Sequence, residues 1–294
     1  MHILITGGEG FVGKAYQRYF QRDLKAVCRI VDLKNGEDCR DFFKETEAKF
    51  DLIIHLAAIV GGRVTIEGDP LSVATDLSID SEFFNWLIRS DQTCPVIYFS
   101  SSAAYPIELQ ERGKRIPLAE DLIDYRKMAT PDYTYGWAKL SGEFLADFAR
   151  KEGKKIHVFR PFSGYGSDQA LDYPFPSFID RIQRRVDQFE IWGDGTQTRD
   201  FIHINDIVEA TMTAVELEYL EPLNLGSGVA TSFNSLYEAV VQRSGFRPSK
   251  GIKHLLEKPV GVHFRFAETS RMRLLYSPKI SISDGIDMAL AGEL

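Results

Sequence analysis

Short, almost unbroken runs of apolar residues recur along this chain. Between them lie longer stretches in which apolar positions return every three or four residues. The runs at 2–6, 26–32, 51–56, 96–100 and 156–160 are rich in Val, Ile and Phe. Continuous apolar character marks parallel strands covered on both faces, whereas a half-exposed strand alternates. Helical spacing is found near 13–22, 41–49, 72–89 and 135–151. Strand and helix take turns, which predicts an α/β fold with a doubly wound parallel sheet.

The texture changes after Arg160. Residues 161–200 carry Pro161, Pro174 and Pro176 among glycines and aromatics. The stretches 201–205 and 223–225 read as further strands returning to the sheet, and the tail from 226 is less regular. The expected organisation is one large unit, residues 1–160 plus about 201–225, and a smaller C-terminal lobe, residues 161–200 plus 226–294. Residues 103–128 form a long polar insertion, expected to stay mobile until a ligand orders it. Trp192-Gly193-Asp194-Gly195 reads first as a hairpin turn and second as a pocket wall. Arg181, Arg184 and Arg185 read first as a solvated helix face and second as phosphate contacts.

Composition narrows the possible functions. A 294-residue chain with 44% hydrophobic residues can bury a sizeable core. A net charge of -7 argues against nucleic acid as the main partner, because phosphate backbones need a basic face. No apolar run reaches the roughly 18 residues of a membrane span, so no membrane association is expected. Cys28, Cys39 and Cys94 lie at no metal-binding spacing. They predict free thiols in a reducing cytoplasm, and no metal site.

The first strand runs directly into Gly7-Gly8-Glu9-Gly10-Phe11-Val12-Gly13. Gly7, Gly10 and Gly13 recur every third residue and open a helix. Glycines there allow a tight turn and let a pyrophosphate reach unpaired N–H groups at the helix N-terminus. The second strand ends at Val31-Asp32-Leu33. Asp32 stands where a carboxylate grips a ribose diol and repels a 2′-phosphate. Together these features predict a Rossmann-type nucleotide site that takes NAD rather than NADP.

Tyr135-Gly136-Trp137-Ala138-Lys139 opens the helical stretch at 135–151. Four residues separate Tyr135 from Lys139, so both lie on one face, a turn apart. A phenol is a weak base at neutral pH, and a neighbouring ammonium is expected to lower its pKa. It would then take a proton from an alcohol while hydride leaves. The strand-end serines Ser100-Ser101-Ser102 point toward the same crevice, where one hydroxyl would hold the reacting oxygen. His55 and His203 read as satisfied structural histidines.

These blocks together resemble the extended short-chain dehydrogenase/reductase family, in particular its nucleotide-sugar epimerases and dehydratases. The resemblance covers essentially the whole chain. It includes His55-Leu56-Ala57-Ala58, Arg160-Pro161-Phe162, Thr198-Arg199-Asp200-Phe201-Ile202-His203 and Asn224-Leu225-Gly226. It implies a catalytic set of Ser101, Tyr135 and Lys139, with Ser101 selected by counting back four from Tyr105. It implies that Gly7, Gly10, Phe11, Val12, Gly13, Asp32, Leu33, Asp38, Cys39, Leu56, Ala57 and Ala58 hold NAD, with Asp38-Cys39 at the adenine. It implies that the late lobe holds a nucleoside diphosphate sugar, with Arg199 on its phosphate.

Departures from the family choose the reaction. Dehydratases of this kind place Asp and Glu after the Thr, and 3,5-epimerases place Cys at the second of these positions. This chain has Ser102 and Ala103. The loop Ile59-Val60-Gly61-Gly62-Arg63 is similar to that of GDP-sugar epimerase/reductases. Ser163 stands where Asn is usual, and Lys258-Pro259 where Arg-Pro-Gly is usual. The expected substrate contacts are Val60, Gly61, Gly62, Ser102, Ala103, Ser163, Arg199, Lys258 and Arg265. The implied activity is transient oxidation by an NAD-dependent epimerase, C4-type favoured. The alternatives are a nucleotide-sugar dehydrogenase, ketoreductase or dehydratase of the same family, and a non-enzymatic dinucleotide sensor. The resemblance also implies a homodimer through a four-helix contact, formed by the apolar helices near 72–89 and 135–151.

Overall fold

A computed structural model describes residues 1–61 and 68–293. Gly62 and Arg63 lie outside the described residues. Strands β1 (His2–Thr6), β2 (Val27–Val31), β3 (Leu52–His55), β4 (Val96–Phe99), β5 (Ile156–Pro161) and β9 (Leu223–Leu225) form one sheet, ordered β2-β1-β3-β4-β5-β9. Every pairing in it is parallel.

The unbroken apolar runs arise because both faces are covered. Along β1, Ile3 and Ile5 pack against α1 (Phe11–Phe20) and α6 (Ile204–Glu216). Leu4 between them faces the other layer: α2 (Cys39–Glu45), α3 (Ser72–Arg89) and α4 (Tyr133–Lys151). Each strand residue is apolar whichever way the period of two points it. Strand order reverses between β1 and β3, so the crevice for a ligand opens above their carboxyl ends.

The smaller lobe has its own core of Phe175, Phe178, Phe189, Phe201, Leu236, Tyr237, Val240 and Ile286. Helices α5 (Pro174–Gln183), α7 (Phe233–Ser244) and α9 (Ile282–Ala291) pack around a second sheet. In that sheet β8 (Thr198–His203) lies between β10 (Ala230–Ser232) and β12 (Phe264–Arg265), and β6 (Ser163–Tyr165) also pairs with β8. A separate pair joins β7 (Phe189–Trp192) to β11 (Ile252–Leu255).

Three expectations need correction. The strand expected at 201–205 does not return to the main sheet. It runs from Thr198 to His203 and belongs to the lobe, because the edge of β5 is already taken by β9. Asp200 then anchors it, accepting the N–H groups of Ser227, Gly228 and Ala267 at 2.7, 3.0 and 3.1 Å. The turn at 193–195 is no hairpin, since β7 and β8 pair in different sheets. The tail from 226 is regular, carrying α7, α8 (Ser270–Leu275) and α9.

The polar insertion is fastened rather than loose. Leu118 N–H bonds to Phe266 O at 2.9 Å, and Leu118 O accepts from Glu268 at 3.0 Å. Arg160 donates to Glu120 O at 2.9 Å, and the Glu120 carboxylate accepts the Asn224 N–H at 2.9 Å. Its polar groups find partners inside the protein, which composition alone does not reveal.

Candidate active site

A cleft of about 1200 Å³ opens along the carboxyl ends of β1, β3, β4 and β5, with the smaller lobe forming its far wall. The glycine turn makes its floor. Gly7 adopts φ +69, and a Cβ there would lie 2.8 Å from the backbone nitrogen of Ala57. A Cβ at Gly13 would lie 2.4 Å from Gly8 O. Only glycine permits this approach, and it leaves the N-terminus of α1 bare toward the cleft, where N–H groups attract an anion. Gly10, Phe11 and Val12 line the same stretch.

Asp32, at the end of β2, is held at the rim. Its two oxygens accept the N–H groups of Glu9 and Lys34, both at 2.9 Å. Leu33, Asp38 and Cys39 continue this wall, and Leu56, Ala57, Ala58, Val60 and Gly61 form the opposite one. Asp38 caps α2 by accepting the Arg40 N–H at 2.9 Å. The Arg40 guanidinium holds its carboxyl below the ordinary range.

Helix α4 brings Tyr135 and Lys139 to the centre of the cleft, and the end of β4 brings Ser101 beside them. Ser101 Oγ accepts the Ala103 N–H at 3.1 Å. Lys139 is 4% exposed. Its Nζ lies 5.8 Å from the Tyr135 ring centre and 5.6 Å from that of Tyr98. Among the described residues its ammonium makes no hydrogen bond and no ion pair. The side chain lines the cleft, so this group fits a site completed by a ligand's hydroxyls. The bare helix end, Asp32 and Lys139 thus suit the pyrophosphate and two riboses of a dinucleotide.

The expected lowering of Tyr135 by Lys139 does not hold in the protein alone. Burial, followed by the charges of Asp76 and Asp80, pushes the phenol above its ordinary range, while the Ser101 hydroxyl draws it down. These two carboxylates escaped the sequence reading. They sit four residues apart on α3 and are each 4% exposed. Asp76 accepts the Ile59 N–H at 2.5 Å. Asp80 is bonded to His55 Nε2 at 3.2 Å and accepts the Tyr98 hydroxyl at 2.6 Å. Burial keeps His55 neutral. Its Nε2–H therefore faces the carboxylate, and the Thr6 hydroxyl donates to Nδ1 at 2.8 Å. His55 is a satisfied structural histidine, as its setting in the sequence suggested.

Ser102 and Ala103 follow Ser101 at the end of β4, Ser163, Arg199 and Arg265 come from the smaller lobe, and all five line the cleft. Arg199 donates to Thr198 O at 2.9 Å and Val260 O at 3.2 Å. Arg265 pairs with Asp132 at 2.8 Å. Lys258 is exposed and lies outside the lining, its Nζ 5.7 Å from the Trp192 ring centre. Arg181, read first as solvated and second as a phosphate contact, lines the cleft, half-buried, 4.1 Å from the Phe189 ring centre. Its neighbours Arg184 and Arg185 are exposed, which masked it.

Comparison with known proteins agrees with this geometry. The chain is 28% identical to a GDP-mannose 3,5-epimerase of Arabidopsis thaliana over 97% of this chain and 80% of that protein. It is 27% identical to a dTDP-4-dehydro-6-deoxy-D-allose reductase of a Streptomyces species, over 92% of this chain and 89% of that protein. A UDP-glucuronic acid 4-epimerase from Bacillus cereus, solved with UDP-glucuronic acid and NAD, superimposes with a TM-score of 0.82. That match has 26% identity and covers 99% of this chain and 98% of that one. Residues 3–226, from the first strand through β9, match the family model described as the NAD dependent epimerase/dehydratase family, and the chain belongs to that family.

Proposed function

We propose that the protein is an NAD-dependent nucleotide-sugar epimerase that works by transient oxidation of a ring hydroxyl, C4-type favoured, with Tyr135 as base. The observation that carries this reading is Ala103. It lines the cleft beside Ser101, 6% exposed, where elimination or 3,5-epimerisation would need an acid or base. Oxidation and re-reduction at one carbon need only Tyr135, Lys139 and Ser101.

Each residue then has a role. The Gly7–Gly13 turn and the start of α1 hold the pyrophosphate, and Asp32 holds a ribose. When bound, NAD supplies a hydride acceptor for the carbinol carbon. Tyr135 takes the hydroxyl proton and returns it to the same oxygen when the other face of the keto sugar is reduced. Ser101 hydrogen-bonds the reacting oxygen. Arg199 and Arg265 line the part of the cleft suited to a diphosphate, and Arg-to-phosphate pairing is strong there.

Pure enzyme incubated with UDP-, GDP- and dTDP-sugars tests the proposal, with products followed by NMR and cofactor by absorbance. Interconversion of two epimers without net NADH supports it. Net NADH formation overturns it in favour of a dehydrogenase. NADH-dependent consumption of a keto sugar overturns it in favour of a reductase. NAD binding without hydride transfer to or from any sugar overturns it in favour of a sensor.

The assembly follows from α3 and α4. Leu77 and Ile88 on one, and Trp137, Leu145 and Phe148 on the other, are exposed apolar side chains on neighbouring helices. Their burial against a second copy gives the four-helix homodimer, and light scattering of a monomer would remove it. Among the described residues no helix is long and apolar enough to cross a membrane. With its free cysteines, the protein suits the cytoplasm.

A further inference from the structure

We propose that residues 166–172 form a strap over the cofactor end of the cleft, and that Asp168, clasped by Lys14 and Arg18, sets how fast the cofactor enters and leaves. This rests on the cleft holding NAD and not on the identity of the sugar. Asp168 acts on the cofactor through the strap, so it is a positioning residue rather than a catalytic one.

The geometry begins on α1. Phe11, Lys14 and Arg18 recur at i, i+3 and i+7, so they share one face of that helix. Phe11, its first residue, lines the cleft beside the bare N–H groups. The smaller lobe comes up against this face. A Cβ at Gly164 on β6 would lie 3.0 Å from Ile207 and 3.6 Å from Phe11. The chain then passes the start of α6, where a Cβ at Gly166 would lie 2.5 Å from Ile204. Two residues later Asp168 reaches along α1. Its Oδ2 accepts from Arg18 at 2.5 Å and its Oδ1 from Lys14 at 3.5 Å. Gln169 Nε2 donates back to Gly164 O at 2.7 Å, which closes the bend into one unit. From there the chain returns to the lobe, and residues 168–173 all line the cleft before α5 begins at Pro174. A segment that leaves the lobe, fastens on the phosphate-binding helix and turns back lies across the cleft rather than beside it.

The fastening is built to open. All three charged side chains stand partly in water, and such ion pairs are individually weak. The Arg18 guanidinium beside Asp168 holds its carboxyl below the ordinary range, so the charge is present at neutral pH. The Nη2 of Arg18 is buried without a hydrogen bond among the described residues, and lifting the strap returns water to it. Closing gains the ion pairs and forfeits that hydration, which keeps the closed and open states near balance. The clasp stands in the protein alone, so it restrains the strap before a cofactor binds as well as after. It therefore slows entry and exit together and changes the rates more than the affinity.

Stopped-flow fluorescence with NADH as the probe tests this. Mixing with NADH gives the association rate, and displacement of bound NADH by excess NAD+ gives the dissociation rate. Asp168 has φ +65, a region that Asn tolerates, so Asp168→Asn keeps the backbone and removes the charge. At about 0.01 M salt, where exposed charges are least screened, its dissociation rate is expected to rise about three- to tenfold. The association rate should rise by a similar factor, so Kd changes less than either rate. Arg18→Gln should give a smaller rise, since Lys14 remains, and the double variant should be no faster than Asp168→Asn alone. At about 1 M salt the wild-type rates should approach those of the variant. Rates equal to wild type in Asp168→Asn at low salt overturn the proposal. So does a weaker Kd with an unchanged association rate, which would make Asp168 part of the binding surface instead of a clasp. If Asp168→Asn does not fold, Arg18→Gln and the unaltered enzyme decide, and wild-type dissociation that is independent of salt overturns the proposal. These measurements need no sugar, so their failure is distinct from failure of the epimerase reading, which shows as missing epimer.

Discussion

Helix α4 carries two buried charged clusters, and they are built in opposite ways. Toward its C-terminal half, Glu143 meets Arg160 with side chains 0% and 1% exposed. Two bonds join them, at 2.7 and 2.9 Å. Tyr125 donates to the same carboxylate at 2.9 Å, and Arg160 also reaches Glu120 O and the Tyr105 hydroxyl. This chain supplies every partner. At the N-terminal half, Lys139 faces Asp76 and Asp80 without an ion pair to either. The closed cluster ties the insertion and β5 to α4, whereas the open one leaves the Lys139 ammonium without a partner among the described residues. Buried charge stabilises a fold when its partners are internal. It marks a site when they are missing.

Tyr135→Phe sharpens this contrast most. Turnover is expected to fall about 10²–10⁴-fold, with the thermal midpoint nearly unchanged. A parallel loss of stability would place Tyr135 in the structural class instead. Glu143→Ala should do the reverse. Denaturant unfolding is expected to show a loss of about 3–5 kcal/mol, because Arg160 is left buried and unpaired. Cofactor affinity of the folded fraction should persist. A cost below about 1 kcal/mol would show that the closed cluster is no staple.

Asp76→Asn separates the two by pH. In the fold, Asp76 holds its proton up to about 6, against an ordinary value of 3.8. The raised value favours the folded state at low pH, and that benefit is lost as pH rises through 6. Relative to wild type, the Asn variant should therefore be more stable at pH 7.5 by about 1–3 kcal/mol. The advantage should shrink as pH falls from 6 toward 4, as read by paired thermal melts. An advantage that does not change with pH would mean that Asp76 does not titrate in this range. The smallest effect belongs to Tyr125→Phe, which removes one of several bonds to Glu143. Its expected cost is about 0.5–1.5 kcal/mol in the same unfolding assay.

Much of the main sheet was legible because its signals are local. Two-sided burial makes β1 apolar at Ile3, Leu4 and Ile5 in unbroken succession, a run visible without knowing any partner. The glycine turn is local too, since Gly7 and Gly13 are fixed by contacts within one βα unit and the adjoining β3 end. Tyr135 and Lys139 share a helix face by spacing alone. Residues whose meaning depends on distant partners were misread or missed. Thr198–His203 has strand character, but its sheet is set by Asp200 reaching Ser227, Gly228 and Ala267. Lys258 looked like a pocket cation, and Arg181 like a solvated one. Their places are exchanged by the way α5 and the 256–262 segment pack.

What the sequence determined by itself was the order of elements in the main sheet, the glycine turn and the shared helix face of Tyr135 and Lys139, because each rests on spacing within one or two adjacent elements. The tertiary structure alone decided the electrostatics around Tyr135. Asp76 and Asp80 belong to a different helix from Tyr135, and their charge reaches the phenol only because α3 and α4 pack face to face in a buried, poorly screened interior.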